Sequence, residues 1–470
     1  MKSFLVIALV VLSWSIASGR DVQLNGHAPG GAGKDIELYS KPDPITGQSD
    51  LIDKKQISAD DTFSFIIDCN DICWLSLRYG IYDILLVVRE GNSYDLELPY
   101  YKEKTKAEKL NPFFTNIPTN ISLVGNDNTN NEINYIDSLL RNYSNLLTHS
   151  EIYGEPLINK DSLLGSFAHI EGSLTEEYAK IYFEYSFCLL KMMIRKQPIP
   201  GSDDIALINK RFLPDMPAYN LLVFLAFNGY LNRLVNDSQT SSLREYINSG
   251  GPYDEIVELI QKKGILRDTS LMEFVILLNL YREYYTGGFN KEGVEKVFQW
   301  MSGHAVNSYN RDLACIITEK INRLKPGNIP PGFSLKDSQG NIYTLDSLKG
   351  KHTIMSFVNT ELPETKSELD ILSQWTGEYK DKLAVVVILL DEDFESSLKR
   401  LGPGNYDFIL LDGSESTGLW KDYDIRYLPA FYFLDNDLRL ILSPAVMPSE
   451  NLKGVVILKL SDDLMDNIRD

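Results

Sequence analysis

Two runs, HTIMSFV (352–358) and KLAVVVILL (382–390), are too apolar to have a wet face. An alternating strand can lie on one side of a sheet, whereas these must be covered on both. Between them ETKSELDILSQWTGEYK (364–380) sets Leu369, Leu372 and Trp375 at helical spacing. FESSLKRL (394–401) reads as a second helix, YDFILL (406–411) as a third strand and STGLWKDY (416–423) as a helix. PAFYFLD (429–435) and LRLILS (438–443) read as a hairpin across Asn436-Asp437. Buried strands separated by helices specify an α/β sheet. KPGNIPPGF (325–333) has the proline and glycine content of a linker and sets off a domain at 328–470.

Upstream the pattern changes twice. DIELYS (35–40), DTFSFIID (61–68), CWLSLRYG (73–80), YDILLVVREG (82–91) and SYDLELPY (93–100) are β-branched and aromatic, with turn residues between them. They predict a β-sandwich over 20–112. GHAPGGAGKD (26–35) has the glycines of a phosphate-binding loop, but Ala28 and Asp35 occupy positions where glycine and Ser/Thr are needed. It reads as a flexible lead-in to the first strand. Over 113–327 the pattern turns helical. Ser173 and Glu176 suggest a capping box, 218–235 one nearly all-apolar helix, and 271–285 another, stopped by Gly287 and Gly288. The fold class is multidomain α+β: an N-terminal β-sandwich, a central helical domain and a C-terminal α/β domain.

The chain has 470 residues and a formal charge of −19, which excludes binding to a phosphate backbone and favours solubility. Lys2, the apolar run Phe4–Leu12 and the small residues Ala17, Ser18 and Gly19 outline a secretory signal over 1–19. Export to the periplasm or cell envelope follows, with no later segment apolar and long enough to span a membrane. Export permits disulfides. Cys69 and Cys73 could pair across a strand turn or remain free, while Cys188 and Cys315, among apolar residues at helical spacing, read as buried, inert thiols. No motif calls for a metal or an organic cofactor.

Residues 328–470 resemble the thioredoxin-like proteins of the TlpA and AhpC/TSA (redoxin) group. GFSLKDSQGNIYTLDSLKGK (332–351) is similar to that group's entry hairpin, TIMSFVNT to its first buried strand, LAVVVILLDED to its central strand and YDIRYLPAFYFLDND (423–437) to its proline-bearing segment. An exported β domain followed by helices and a thioredoxin-like domain also resembles bacterial cell-envelope members of the group. The resemblance implies that Pro429 is a cis-proline facing the active-site loop, and that the backbone of Leu428 can pair with an extended peptide.

Where the family carries W-C-x-x-C, register from the strand places Glu361 at the tryptophan, Leu362 at the first cysteine and Thr365 at the second, around Pro363-Glu364. No cysteine occurs in 328–470. Disulfide exchange begins with a thiolate, which neither leucine nor threonine supplies. What remains is a helix start, with proline in the first turn and carboxylates favouring the dipole. Glu361 and Glu364 read as capping residues more readily than as an acid–base pair. The expectation is a non-catalytic, exported module binding an envelope protein or peptide through Glu361, Leu362, Pro363, Leu428 and Pro429. The alternatives are a thiol-disulfide oxidoreductase using Cys69 and Cys73, and a β-sandwich that stacks a sugar on Trp74, Tyr79 and Tyr82.

Overall fold

The computed structural model describes residues 21–469 apart from 106–107, 109–113, 122, 126–127, 154–158, 196–200, 392, 403–405 and 415–417. The signal assigned to 1–19 lies outside the described residues. Residues 21–105 with 115–316 form one compact unit, and residues 317–469 belong to a second. The chain mixes α and β structure, with three sheets among the described residues.

In the first unit, β1 (Asp21–His27), β4 (Thr62–Asp68), β7 (Ser93–Glu97) and β9 (Leu123–Gly125) form a sheet of order β4-β1-β7-β9. A second sheet has the order β3-β2-β5-β6-β8, from β2 (Asp35–Ser40), β3 (Leu51–Gln56), β5 (Ile72–Tyr79), β6 (Tyr82–Arg89) and β8 (Ile117–Pro118). Alternate residues of both sheets, among them Val22, Phe65, Tyr94, Leu38, Leu77 and Leu86, enter one shared apolar cluster. This is the period-two burial of strands that each have one covered face.

Two expectations need correction here. GHAPGGAGKD does not lead into the first strand: β1 runs into it and ends at its Gly26 and His27, with Val22 and Leu24 fully buried. The segment is the tight β1–β2 connection, held by Asp61, whose carboxylate accepts from Gly30 N at 3.0 Å and Ala32 N at 2.8 Å. No helix start follows it, so the phosphate loop stays excluded by geometry. Secondly, β8 and β9 lie beyond residue 112, so both sheets draw on chain that the sequence assigns to the helical zone.

Asparagines tie the helix Thr129–Tyr153 to these strands. The side-chain amide of Asn130 accepts from Val87 N at 2.9 Å and donates to Val87 O. Asn131 accepts from Leu123 N at 3.3 Å and donates to Leu123 O at 3.0 Å. Each amide acts as one residue of a neighbouring strand, satisfying a backbone donor and acceptor together. The helix Glu177–Arg195 buries Tyr182, Tyr185, Cys188, Leu189 and Met192, which recur at helical spacing.

The Ser173/Glu176 capping box does not form. Glu132 covers that helix start instead, accepting from Thr175 N at 2.8 Å and Glu176 N at 3.0 Å, while Ser173 donates to Ile170 O. The apolar stretch 218–235 is two helices, Pro217–Phe227 and Tyr230–Val235, broken where Gly229 takes φ +66°. Asn228 and Gly229 stop the first helix as an αL residue commonly does.

The second unit holds β10 (Ser334–Lys336), β11 (Ile342–Thr344), β12 (His352–Val358), β13 (Leu383–Leu389), β14 (Ile409–Asp412), β15 (Ala430–Leu434) and β16 (Leu440–Ala445), ordered β11-β10-β14-β13-β12-β15-β16. β12, β13 and β14 are parallel, β15 runs antiparallel to them, and β16 runs antiparallel to β15. β12 is buried along its whole length, as its composition requires. One face packs on Leu369, Leu372 and Trp375 of the helix Pro363–Thr376 and on Leu452 and Val456 of the helix Leu452–Arg469. The other packs on Leu345, Leu348, Leu419 and Tyr423. Each large side chain so covered contributes about 2 kcal/mol.

Candidate functional site

The parallel strands β12 and β13 end at the same level, with Val358 opposite Leu389. β15 begins beside them, with Ala430 opposite Phe357. The register therefore brings the 359–363 loop, Asp391 and the Leu428-Pro429 pair to one end of the sheet. The Leu428–Pro429 peptide is cis. Pro429 is buried and Leu428 half-buried.

The loop folds on itself. Asn359 Oδ1 accepts from Glu361 N at 2.9 Å, and Asn359 O accepts from Leu362 N at 3.2 Å. Leu362 is the N-cap residue, with φ −82° and ψ 125°, and Pro363 opens the helix. A leucine cannot accept from the first helical amides as Ser or Asp would. Thr365 is fully buried, and its hydroxyl donates to Asn359 O at 2.7 Å. That hydroxyl is committed to holding the loop.

A second layer fixes the loop from β13. Asp391 is 3 % exposed and accepts from Thr360 N at 3.0 Å and from the Thr360 hydroxyl at 2.7 Å. Arg400, on the helix Phe394–Leu401, donates to Asp391 at 3.2 Å, to Thr360 Oγ1 at 3.0 Å and to Glu361 at 3.0 Å. Glu361 is thus half of an ion pair and does not form a free carboxylate pair with Glu364, which is exposed in the first helical turn. Glu368, one turn further, is buried and accepts from Ser449 N at 2.9 Å and Ser449 Oγ at 2.7 Å.

Asn359, Thr360, Asp391 and Arg400 escape the sequence, where they look like solvated loop and helix polars. One signal was available: Asp391 follows VVVILL directly, so its carboxylate emerges from a strand buried on both faces.

The cysteines lie elsewhere. Cys69 and Cys73 are joined by a disulfide across the β4–β5 turn, with Cα atoms 5.9 Å apart. Cys69 is 1 % exposed. Cys188 is buried and donates to Asp204 at 3.2 Å; burial, then that hydrogen bond, pushes its thiol up to about 12. Such a thiol is not a nucleophile near neutral pH. Burial expected from apolar neighbours holds for Cys188 but not for Cys315, which is exposed on the helix Ser308–Asn322.

The sugar-stacking alternative is overturned at its aromatic residues. Tyr79 is fully buried in the shared cluster, and Trp74 is buried and donates to the Tyr178 hydroxyl at 2.9 Å. Strand aromatics here serve packing.

No family model matches the chain. It is similar to the thioredoxin-like protein YneN of Bacillus subtilis, 29% identical over 113 residues, which are 24% of this chain and 66% of that protein. The chain thus spans just under two thirds of that relative's length. A thioredoxin-like protein from Bacteroides caccae matches at 16% identity over 50% of this chain and 92% of its own, with a TM-score of 0.30. The thioredoxin domain of a thiol-disulfide oxidoreductase from Bacteroides vulgatus matches at 16% identity over 29% of this chain and 98% of its own, with a TM-score of 0.26. The fold that the chain shares with its curated relative is thioredoxin-like, and among the described residues no helix is long and apolar enough to cross a membrane.

Proposed function

We propose that this chain is an exported, non-catalytic thioredoxin-like protein that binds an extended segment of a cell-envelope protein or peptide. The groove runs between Glu361, Leu362 and Pro363 on one side and Leu428 and Pro429 on the other. One observation carries the proposal: Thr365, at the family's second cysteine position, is buried and spends its hydroxyl on Asn359 O, 2.7 Å away. Leu362 stands at the first position, so the site offers neither an attacking nor a resolving sulfur. Its backbone remains ordered, and Arg400, Asp391 and Thr360 hold the loop in one shape. A rigid loop costs less entropy to bind than a mobile one.

Reduction of an insulin-type disulfide with dithiothreitol as donor tests this. The native protein gives no rate above the uncatalysed background, and Leu362→Cys with Thr365→Cys creates one. Native turnover above background would overturn the proposal. If the double variant folds and stays inert, the placement of the site at 362–365 is wrong. The alternative centred on Cys69 and Cys73 has less support, because that pair is bonded across a strand turn with Cys69 only 1 % exposed.

A further inference from the structure

β4 is an end strand of its sheet, which runs β4-β1-β7-β9. The other margin, β9, is covered where Asn131 pairs the backbone of Leu123. Along β4, alternate residues bond β1 and the rest face outward. Gln23 N turns away from β4, toward Asn92 O at 3.1 Å, so Val22 and Leu24 are the residues of β1 that bond β4, opposite Ile67 and Phe65. The N–H and C=O of Thr62, Ser64, Ile66 and Asp68 therefore point out of the sheet.

That margin is covered at one end. Thr62 O accepts from Ser58 N at 3.0 Å, and Thr62 N donates to the Ser58 hydroxyl at 3.1 Å. Lys55, on β3, donates to Ser64 O at 2.5 Å. Beyond it the backbones of Ile66 and Asp68 have no outward partner among the described residues, and neither has Ser64 N. Ile66 is also 65 % exposed. A bare strand margin carrying a large aliphatic side chain is a template for another strand.

We propose that β4 pairs antiparallel with β4 of a second copy of this chain, about a two-fold axis at Ile66. The strand is complementary to itself in that register. Ile66 N–H and O bond the O and N–H of Ile66 of the second copy. Ser64 N–H bonds Asp68 O of the second copy, once in each direction. These four hydrogen bonds leave Lys55 in place on Ser64 O. The two Ile66 side chains meet on one face as a cross-strand pair. Charge agrees with the register. Asp68 of the second copy falls opposite Ser64, beside the Lys55 ammonium, whose carboxylate partner within its own chain is Asp53 at 3.5 Å. The attraction is repeated by symmetry, and no like charges face each other between residues 64 and 68. One strand from each copy covers less than the 1,200–2,000 Å² or so of a stable interface, so the dimer is weak and depends on concentration.

The test uses the full-length protein with Cys315→Ser, which removes the exposed native thiol. Facing residues of a hydrogen-bonded antiparallel pair have Cα atoms about 5.5 Å apart, within the span of a disulfide. Ile66→Cys is therefore expected to cross-link to dimer under mild oxidation roughly ten times faster than Ile117→Cys, which is exposed on β8 in the other sheet. Adding Asp68→Lys, which sets a second cation against Lys55, should slow the Ile66→Cys reaction severalfold. In sedimentation equilibrium the mean mass of the native protein should rise reversibly with concentration, and Ile66→Lys should abolish the rise. Cross-linking of Ile66→Cys no faster than that of Ile117→Cys, or unslowed by Asp68→Lys, would overturn the proposal. So would a native protein that stays monomeric up to its solubility limit, or an Ile66→Lys variant that still associates.

Discussion

Arg400 reaches the buried carboxylate of Asp391 at 3.2 Å and, with its other nitrogen, Glu361 at 3.0 Å. One guanidinium thereby ties the end of a central strand to the 359–363 loop. Arg400 is only part-buried, whereas Asp391 is nearly sealed and also serves Thr360. Asp391→Ala should therefore cost more than Arg400→Ala, because it leaves the Thr360 N–H unpaired. A loss of about 2 kcal/mol is expected for Asp391→Ala and about 1 kcal/mol for Arg400→Ala. Urea unfolding followed by tryptophan fluorescence would measure both.

Asp137 gives a pH dependence. Burial pushes its carboxyl up to about 6, opposed by the hydrogen bond from Tyr182 and the charge of Arg141. With the folded value above the ordinary 3.8, the folded state holds a proton that the unfolded chain has released. Stability from this group is therefore full below pH 4 and is lost as pH rises through 6. Asp137→Asn keeps an acceptor for Tyr182 and removes the charge. It should raise stability at pH 8 by up to about 3 kcal/mol and change little at pH 4. Equal gains at both pH values would refute this.

The Cys69–Cys73 bridge closes a short loop, and loop-closure entropy assigns it about 2 kcal/mol. Replacing both cysteines by serine should lower the urea midpoint accordingly. Dithiothreitol should reproduce the shift in the native protein and have no effect on the variant.

Gly293 lies in the first turn of the helix Lys291–His304, and a Cβ there would fall 2.3 Å from Ile247 O and 2.4 Å from Asn248 O. Both obstacles are backbone and cannot rotate away. Gly293→Ala should cost about 3 kcal/mol through overpacking, despite alanine's better helix propensity. An unchanged melting temperature would show that the helix Lys291–His304 can move freely away from Ile247 and Asn248.

Legibility differed between local and non-local features. β12 and β13 are plain in the sequence because burial on both faces leaves an uninterrupted apolar run. β1 was hidden: only Val22 and Leu24 mark its inner face, Gly26 and His27 end it, and its partners β4 and β7 lie far along the chain. The lock on the candidate loop was invisible for the same reason, since Thr360, Asp391 and Arg400 meet only through strand register. Trp74 and Tyr79 left two readings open because an aromatic on a strand looks the same whether it faces ligand or core.

The asparagines at 130 and 131 bear on where this chain can be cut. Asn130 pairs the backbone of Val87, on β6 beyond the reach of β8, and Asn131 does likewise for Leu123. A fragment ending near 125 would present bare strand backbone to other molecules and should aggregate, whereas one carried through residue 153 brings its own cover and should stay dispersed.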